Sequence, residues 1–317
     1  MMISRRNLLK GSAAAALTGA FAVPVRAQTP KELRIGYQKN GVLVIARQQA
    51  ALEKHFAPLG TSISWNDFPA GPPLLEAMNA GSIDFGQVGD TPPIFAQAAN
   101  AKIVYVAGQP ITNGQGILVK LGSAIRTLAD LKGKRIGFTK GSSAHNVVVM
   151  VLEKAGLQYS DITPVYLSPP DGAAAFARDS IDAWVVWDPY FAIGETRGGG
   201  RILVNASEIG KTNSFYLANR DFAAAAPRTV SAVIAVLQDS AAWAETHRDD
   251  VGRLMAEVTG VDVEIQTIAA RRSSFAIGKL TDDVVATQQA VADRFFKLGL
   301  VPRAVSVREA GWTASQS

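Results

Sequence analysis

Apolar residues recur along this chain in two rhythms, and the rhythms alternate. Leu33-Arg34-Ile35-Gly36-Tyr37 steps between apolar and polar with period two, which predicts a strand ending in the polar turn Gln38-Lys39-Asn40-Gly41. A helix is predicted over residues 42–56 and a strand over 63–68. Pro72-Pro73 opens a further helix through Leu74, Leu75 and Met78, which Gly81 ends. Residues 83–88 form the next strand, broken at Gly89-Asp90-Thr91; Pro92 then sits in a first helical turn, and Ile94, Ala98 and Ala101 give that helix its buried stripe. Another strand follows over 103–107.

The same alternation returns at residues 135–139, a short strand with Ile136 and Phe138 on one face. Lys140-Gly141 breaks it and Ser142 or Ser143 caps a helix whose buried face is Val148, Val151, Leu152 and Ala155. Strands are predicted over 164–167, 182–187 and 201–204, with a short helix over 171–178. Helices are predicted around 227–247, 248–258, 262–271 and 281–298. Strand and helix taking turns across short glycine turns predicts an α/β fold, with mostly parallel sheets covered by helices on both faces. Two strand-like runs, 116–119 and 214–218, flank the central block and read as crossovers between two lobes. The expected division is 30–117 plus 218–317 for one lobe and 118–217 for the other.

In such sheets ligands sit beyond the carboxyl ends of the strands. Turns of that kind follow Tyr37 and occur at Gly89 and at Gly141. The turn at 140–143 aims free N–H groups, two hydroxyls and the positive end of a helix at one point, a site for an anion that needs no formal cation. Ser142 and Ser143, like Asp90 and Thr91, also have an ordinary role as helix caps. Convergence of such turns from both lobes favours the binding role. Asp90 would repel an anion, so it either orients its turn through a backbone amide or meets a cationic or hydroxyl group of the ligand. His145, on the first turn of the same helix, is placed either against ligand or in solvent. Trp184 and Trp187, three apart on one strand, face opposite ways. Trp187, next to a turn, is the candidate to stack on an apolar part of a ligand.

Composition narrows the class. Apolar residues make up 48% and charged residues 19% of the 317, as in a well-packed globular chain of two lobes. The formal charge of +5 comes largely from Arg5, Arg6, Lys10 and Arg26; without those four cations the remainder carries +1, which gives no support to nucleic-acid binding. Residues 1–27 read as an export leader, with the twin-arginine pattern Ser4-Arg5-Arg6-Asn7-Leu8-Leu9-Lys10, an alanine-rich run and a small-x-small cleavage site at Val25-Arg26-Ala27. The exported chain would start at Gln28. There is no cysteine, which excludes disulfides, a thiolate nucleophile and a lipidated cysteine. A soluble periplasmic protein is expected. The three histidines, His55, His145 and His247, lie far apart without carboxylates at metal spacing, so neither a metal nor a cofactor is expected. Gly210-Lys211-Thr212 ends like a phosphate-binding loop, but Asn205 stands where its first glycine is needed, and no G-x-S-x-G elbow surrounds Ser142 or Ser143.

Tyr37-Gln38-Lys39, Phe68-Pro69-Ala70-Gly71-Pro72, the run from Gly89-Asp90-Thr91-Pro92-Pro93 to Ala98, Lys140-Gly141-Ser142-Ser143-Ala144-His145-Asn146, Trp187-Asp188-Pro189-Tyr190 and Ser214-Phe215-Tyr216-Leu217 occur in this order. Together they resemble the substrate-binding proteins of aliphatic sulfonate ABC transporters, over a span from about Leu33 to Trp312. The resemblance implies a two-lobed type II periplasmic binding fold, capture of an alkanesulfonate between the lobes, and delivery to a permease driven by an ATPase. It implies no catalysis and a monomeric protein. Carried over by position, Gln38, Gly89, Asp90, Thr91, Ser142 and Ser143 would line the head-group site, and Trp187 with Asn213 or Phe215 would border the tail. Taurine, nitrate or sulfate-ester binding within the same superfamily is the neighbouring alternative, with Asp90 as partner for a taurine amine. A sulfinate-cleaving enzyme on the same fold is the more distant one, and its expected cysteine nucleophile is missing.

Overall fold

The structure, a computed structural model, describes residues 29–313. The leader expected over residues 1–27 lies outside them. The chain first lays down β1 (Glu32–Tyr37), α1 (Gly41–Gln48), α2 (Ala51–Phe56), β2 (Ser62–Asp67), α3 (Gly71–Asn79), β3 (Phe85–Val88), α4 (Thr91–Ala98) and β4 (Ile103–Ile111). It then builds a second unit from β5 (Gln115–Lys120), β6 (Arg135–Phe138), α5 (Ser143–Ala155), β7 (Thr163–Tyr166), α6 (Pro169–Ala177), β8 (Ala183–Trp187), α7 (Tyr190–Thr196) and β9 (Gly200–Asn205). It returns through β10 (Thr212–Asn219) to a helical tail of α8 (Arg220–Ala225), α9 (Pro227–Thr246), α10 (Arg248–Thr259), α11 (Val263–Arg272) and α12 (Asp282–Lys297).

The strands make two five-stranded sheets of the same plan, ordered β2-β1-β3-β10-β4 and β7-β6-β8-β5-β9. In each, four strands run in one direction, and one strand laid down after a chain crossing inserts as fourth in the order, antiparallel to both of its neighbours. The two apolar runs read as crossovers are these inserted strands, β5 and β10. Each belongs wholly to one sheet, so the expected boundaries at 117/118 and 217/218 fall inside strands. By sheet membership the chain crosses at 112–114 and 206–211. An uninterrupted apolar run marks a strand buried on both faces but not the sheet that buries it.

Helices cover both faces of each sheet. Against the first, α1, α2, α9 and α10 close one core around Leu33, Ile35, Phe85 and Tyr216, while α3, α4 and α12 close the other around Leu74, Ile94, Phe215 and Phe295. Against the second, α5 buries Val147, Val148 and Val151 over Ile136 and Val185, and α6 and α7 pack Phe176 and Phe191 on Trp184. The single helix expected over 42–56 is two. Ala50 adopts a left-handed conformation (φ 48°, ψ 38°) between α1 and α2. The break brings Leu52 and Phe56 into the same core as residues 42–46. Nothing in Gln48-Gln49-Ala50-Ala51 signals it, because alanine favours helix and disfavours positive φ.

Candidate functional site

Four parallel strands, two from each sheet, end at one cleft. Gln38 follows β1, Gly89 follows β3, Ser142 and Ser143 follow β6, and Trp187 closes β8; all five line a cavity with about 130 Å³ of free space. The helices that start at this cleft, α1, α4 and α5, direct their positive ends toward it.

The 13-residue α5 is the longest of the three, and its first N–H groups have no intrahelical carbonyl to bond. The expected serine cap does not form. Ser142 occupies the cap position in an extended conformation, but its Oγ donates to the carbonyl of Thr139 at 2.7 Å. The turn is held from behind by His145, whose Nδ1 accepts the Gly141 N–H at 3.2 Å while Nε2 meets the Tyr159 hydroxyl at 3.0 Å. Gly141 has φ +71°, a conformation suited to glycine. His145 is 0% exposed and packs among Phe95, Phe138, Tyr166 and Phe295, so it touches neither cleft nor solvent. Burial, with the nearby Lys140 charge, pushes its pKa down to about 4, so the ring stays neutral and Nδ1 stays an acceptor at pH 7.

On the facing side, Asp90 and Thr91 lie behind the wall rather than on it. Asp90 is 1% exposed; its carboxylate accepts from Thr91 Oγ1 at 2.8 Å and, across the two sheets' bodies, from Asn146 Nδ2 of α5 at 2.7 Å. Burial pushes its pKa up to about 6, against the Thr91 and Asn146 hydrogen bonds and the Arg294 charge that pull it down. Pro92 and Pro93 remove two first-turn donors from α4, which leaves α5 the richer source of N–H groups. Gly89 and Ser143 meet closely across the two bodies. A Cβ on Gly89 would stand 2.7 Å from Ser143 Cβ and 3.0 Å from its Oγ.

Among the described residues, the cavity wall holds no Lys or Arg, and its one acid is already paired. Arg272, at the end of α11, forks onto Asp188 with Nε–Oδ2 at 2.7 Å and Nη2–Oδ1 at 2.6 Å, and reaches Glu195 of α7 at 2.9 Å. Asn40 Nδ2 donates to the Asp188 carbonyl at 3.3 Å, another link between the bodies. The site is therefore neutral and rich in donors, and its lining also includes the half-buried Trp187, Pro92, Ile111 and Phe275. Such a wall suits an anionic head carrying a short apolar tail. No group of three or more His, Cys, Asp or Glu among the described residues could hold a metal.

Several wall residues escape a reading by motif. Ser214, not Asn213 or Phe215, faces the cavity on β10. Asn213 and Phe215 share the opposite face, and Phe215 is buried in the core, as the period-two alternation requires. Gln115 on β5, Gln87 on β3, Gln109 on β4 and the Ser273-Ser274-Phe275 segment after α11 also contribute. Gln109 Nε2 is committed to the Ser274 carbonyl at 2.6 Å and Gln38 Nε2 to the Gln87 carbonyl at 3.3 Å. A polar residue opening an apolar strand, as Gln115 opens β5, was the available signal.

Two mixed sheets with an anion-ready cleft between them define a two-lobed α/β binding protein. Residues 26–260 match the NMT1-like family, and the chain belongs to that family. A relative from Escherichia coli (strain K12), named for binding aliphatic sulfonates, is 41% identical over 315 residues and 98% of each chain. The alkanesulfonate-binding protein SsuA from Xanthomonas axonopodis pv. citri, solved bound to MOPS, is similar at 43% identity and TM-score 0.86, over 90% of this chain and 99% of that one. The periplasmic aliphatic sulphonate binding protein SsuA from Escherichia coli gives 41% identity and TM-score 0.82, over 91% and 94%. The desulfurization enzyme DSZB, at 18% identity and TM-score 0.65 over 88% and 96%, shares the fold alone. Residues 2–22 match the twin-arginine translocation signal sequence, and the chain is exported to the periplasm. Among the described residues no helix is long and apolar enough to cross a membrane.

Proposed function

We propose that this chain is the periplasmic binding component of an ABC importer and that its cleft takes up an aliphatic sulfonate. It acts as a monomer, without catalysis, and hands its ligand to a membrane permease driven by an ATPase. One observation carries the reading: a cleft lined by neutral donors and helix N-termini, with no Lys or Arg among the described residues of its wall, and with Trp187 and Phe275 as apolar surface. A sulfonate keeps its charge at every ordinary pH, so fixed neutral donors suffice to hold it, and the apolar border receives the alkyl part. The relatives named for sulfonates, alike over nearly the whole chain, support the same ligand class.

The wall also weighs against taurine. An ammonium group needs a carboxylate, but Asp90 is buried behind the wall and both Asp188 oxygens are held by Arg272. A thermal-shift panel of the exported chain checks this. Ligand at about 100 times its dissociation constant should stabilise the fold by roughly 2.7 kcal/mol. Alkanesulfonates are expected to raise the melting temperature, with taurine weaker and nitrate and sulfate weaker still. A shift with nitrate or taurine and none with alkanesulfonates would refute the reading.

A further inference from the structure

Gln115 opens β5 directly after the chain crosses from the first sheet to the second. It pairs in register with Trp187 on β8, and the strand continues into Ile117, Leu118 and Val119, all fully buried and apolar. Gln115 is itself 1% exposed and lies on the cavity wall with Ser142, Ser143 and Trp187. Its Nε2 is buried and has no hydrogen-bond partner in the protein. The wall amides Gln38, Asn40 and Gln109 each donate to a protein carbonyl. The other buried side-chain atoms left unpartnered among the described residues belong to Glu53, Arg201 and Thr212, none of which lines the cavity.

A buried donor without an acceptor is unfavourable, and a fold tolerates one where a ligand supplies the acceptor. We infer that Gln115 is a ligand-binding residue whose side-chain amide donates to an oxygen of the sulfonate head group. This rests on the sulfonate reading above. A sulfonate offers three acceptor oxygens and no donor, so it satisfies this N–H without bringing an unmatched group into the cleft. The pairing of Gln115 with Trp187 also puts the head-group donor beside the residue that borders the tail, which fixes the direction in which the ligand lies.

The inference predicts opposite effects on stability and on binding, which a structural glutamine would not show. Gln115→Met keeps the side-chain length and removes the orphan donor. In calorimetric titration with 1-butanesulfonate its dissociation constant is expected to rise tenfold or more, while its ligand-free melting temperature stays level or rises. Gln115→Glu puts a carboxylate against the anion. Its affinity is expected to fall about a hundredfold at pH 8 and to recover in part at pH 5, as the new carboxyl takes up a proton. Wild-type affinity in Gln115→Met would overturn the assignment, and so would a ligand-free melting temperature several degrees lower, which would mean a structural partner for Nε2. A wild-type chain that binds no alkanesulfonate would overturn the functional reading together with it, so the two failures are distinguishable.

Discussion

Asp90 and His145 stand on opposite sides of the seam between the two bodies, and protonation acts on them in opposite senses. Asp90, with an ordinary value of 3.8, is pushed up to about 6 in the fold; its contribution is present below pH 4 and lost as pH rises through 6. His145, ordinarily at 6.5, is pushed down to about 4; its contribution is present above pH 6.5 and lost as pH falls through 4. At 1.36 kcal/mol per pKa unit each amounts to about 3 kcal/mol, and between pH 4 and 6 they largely cancel. Urea unfolding at pH 4.5 and 7 should reveal them separately. Asp90→Asn is expected to lose more stability on acidification than wild type, and His145→Asn to lose less. Three parallel pH curves would contradict the assignment. At this scale the sequence pointed to the Ser142 and Ser143 turn but not to what lies behind it. The aromatic cage of His145 draws on α4, β6, β7 and α12, and no local spacing reveals a cluster drawn from four elements.

At the scale of elements, most strands and helices were legible where period two gave way to period 3.6 across a glycine or proline, but the short helices α7 and α8 were not expected. Two further features were not legible. The left-handed Ala50 splits one apolar stripe into α1 and α2, and a strand's parity decides that Ser214 rather than Asn213 meets the cavity. The approach of α4 to α5 is another property of paired elements. Gly89 does not have positive φ, so alanine is permitted there by its own backbone and excluded only by Ser143 across the seam. Gly89→Ala should therefore lower the melting temperature by a few degrees, the cost of overpacking being about 1–3 kcal/mol, and weaken alkanesulfonate binding tenfold or more, since a methyl at 2.7 Å pushes the two turns apart. Equal affinity would show that the turns need not meet around the ligand.

At the scale of the molecule, the fold is one plan used twice, each sheet completed by a strand laid down after the chain has crossed. The links between the bodies include polar ones, Arg272 to Asp188 and Glu195, Arg294 to Glu153 and Asn146, and Asn146 to Asp90, beside the apolar packing of His145 and Val149 against Phe295. Two of the polar links, through Asp188 and Asp90, lie on or directly behind the cavity wall. The lobes themselves were legible from the alternation of elements, but their limits were not, because an apolar strand reads alike in either sheet. The central claim is that neutral donors in this cleft select a sulfonate. Calorimetric titration of the exported chain at pH 7.5 with 1-butanesulfonate, pentanoate and nitrate tests it most directly. Saturable one-to-one binding of the sulfonate, at least a hundredfold tighter than pentanoate or nitrate, is the predicted result. Equal affinity for pentanoate, or binding of nitrate in preference to the sulfonate, would contradict it.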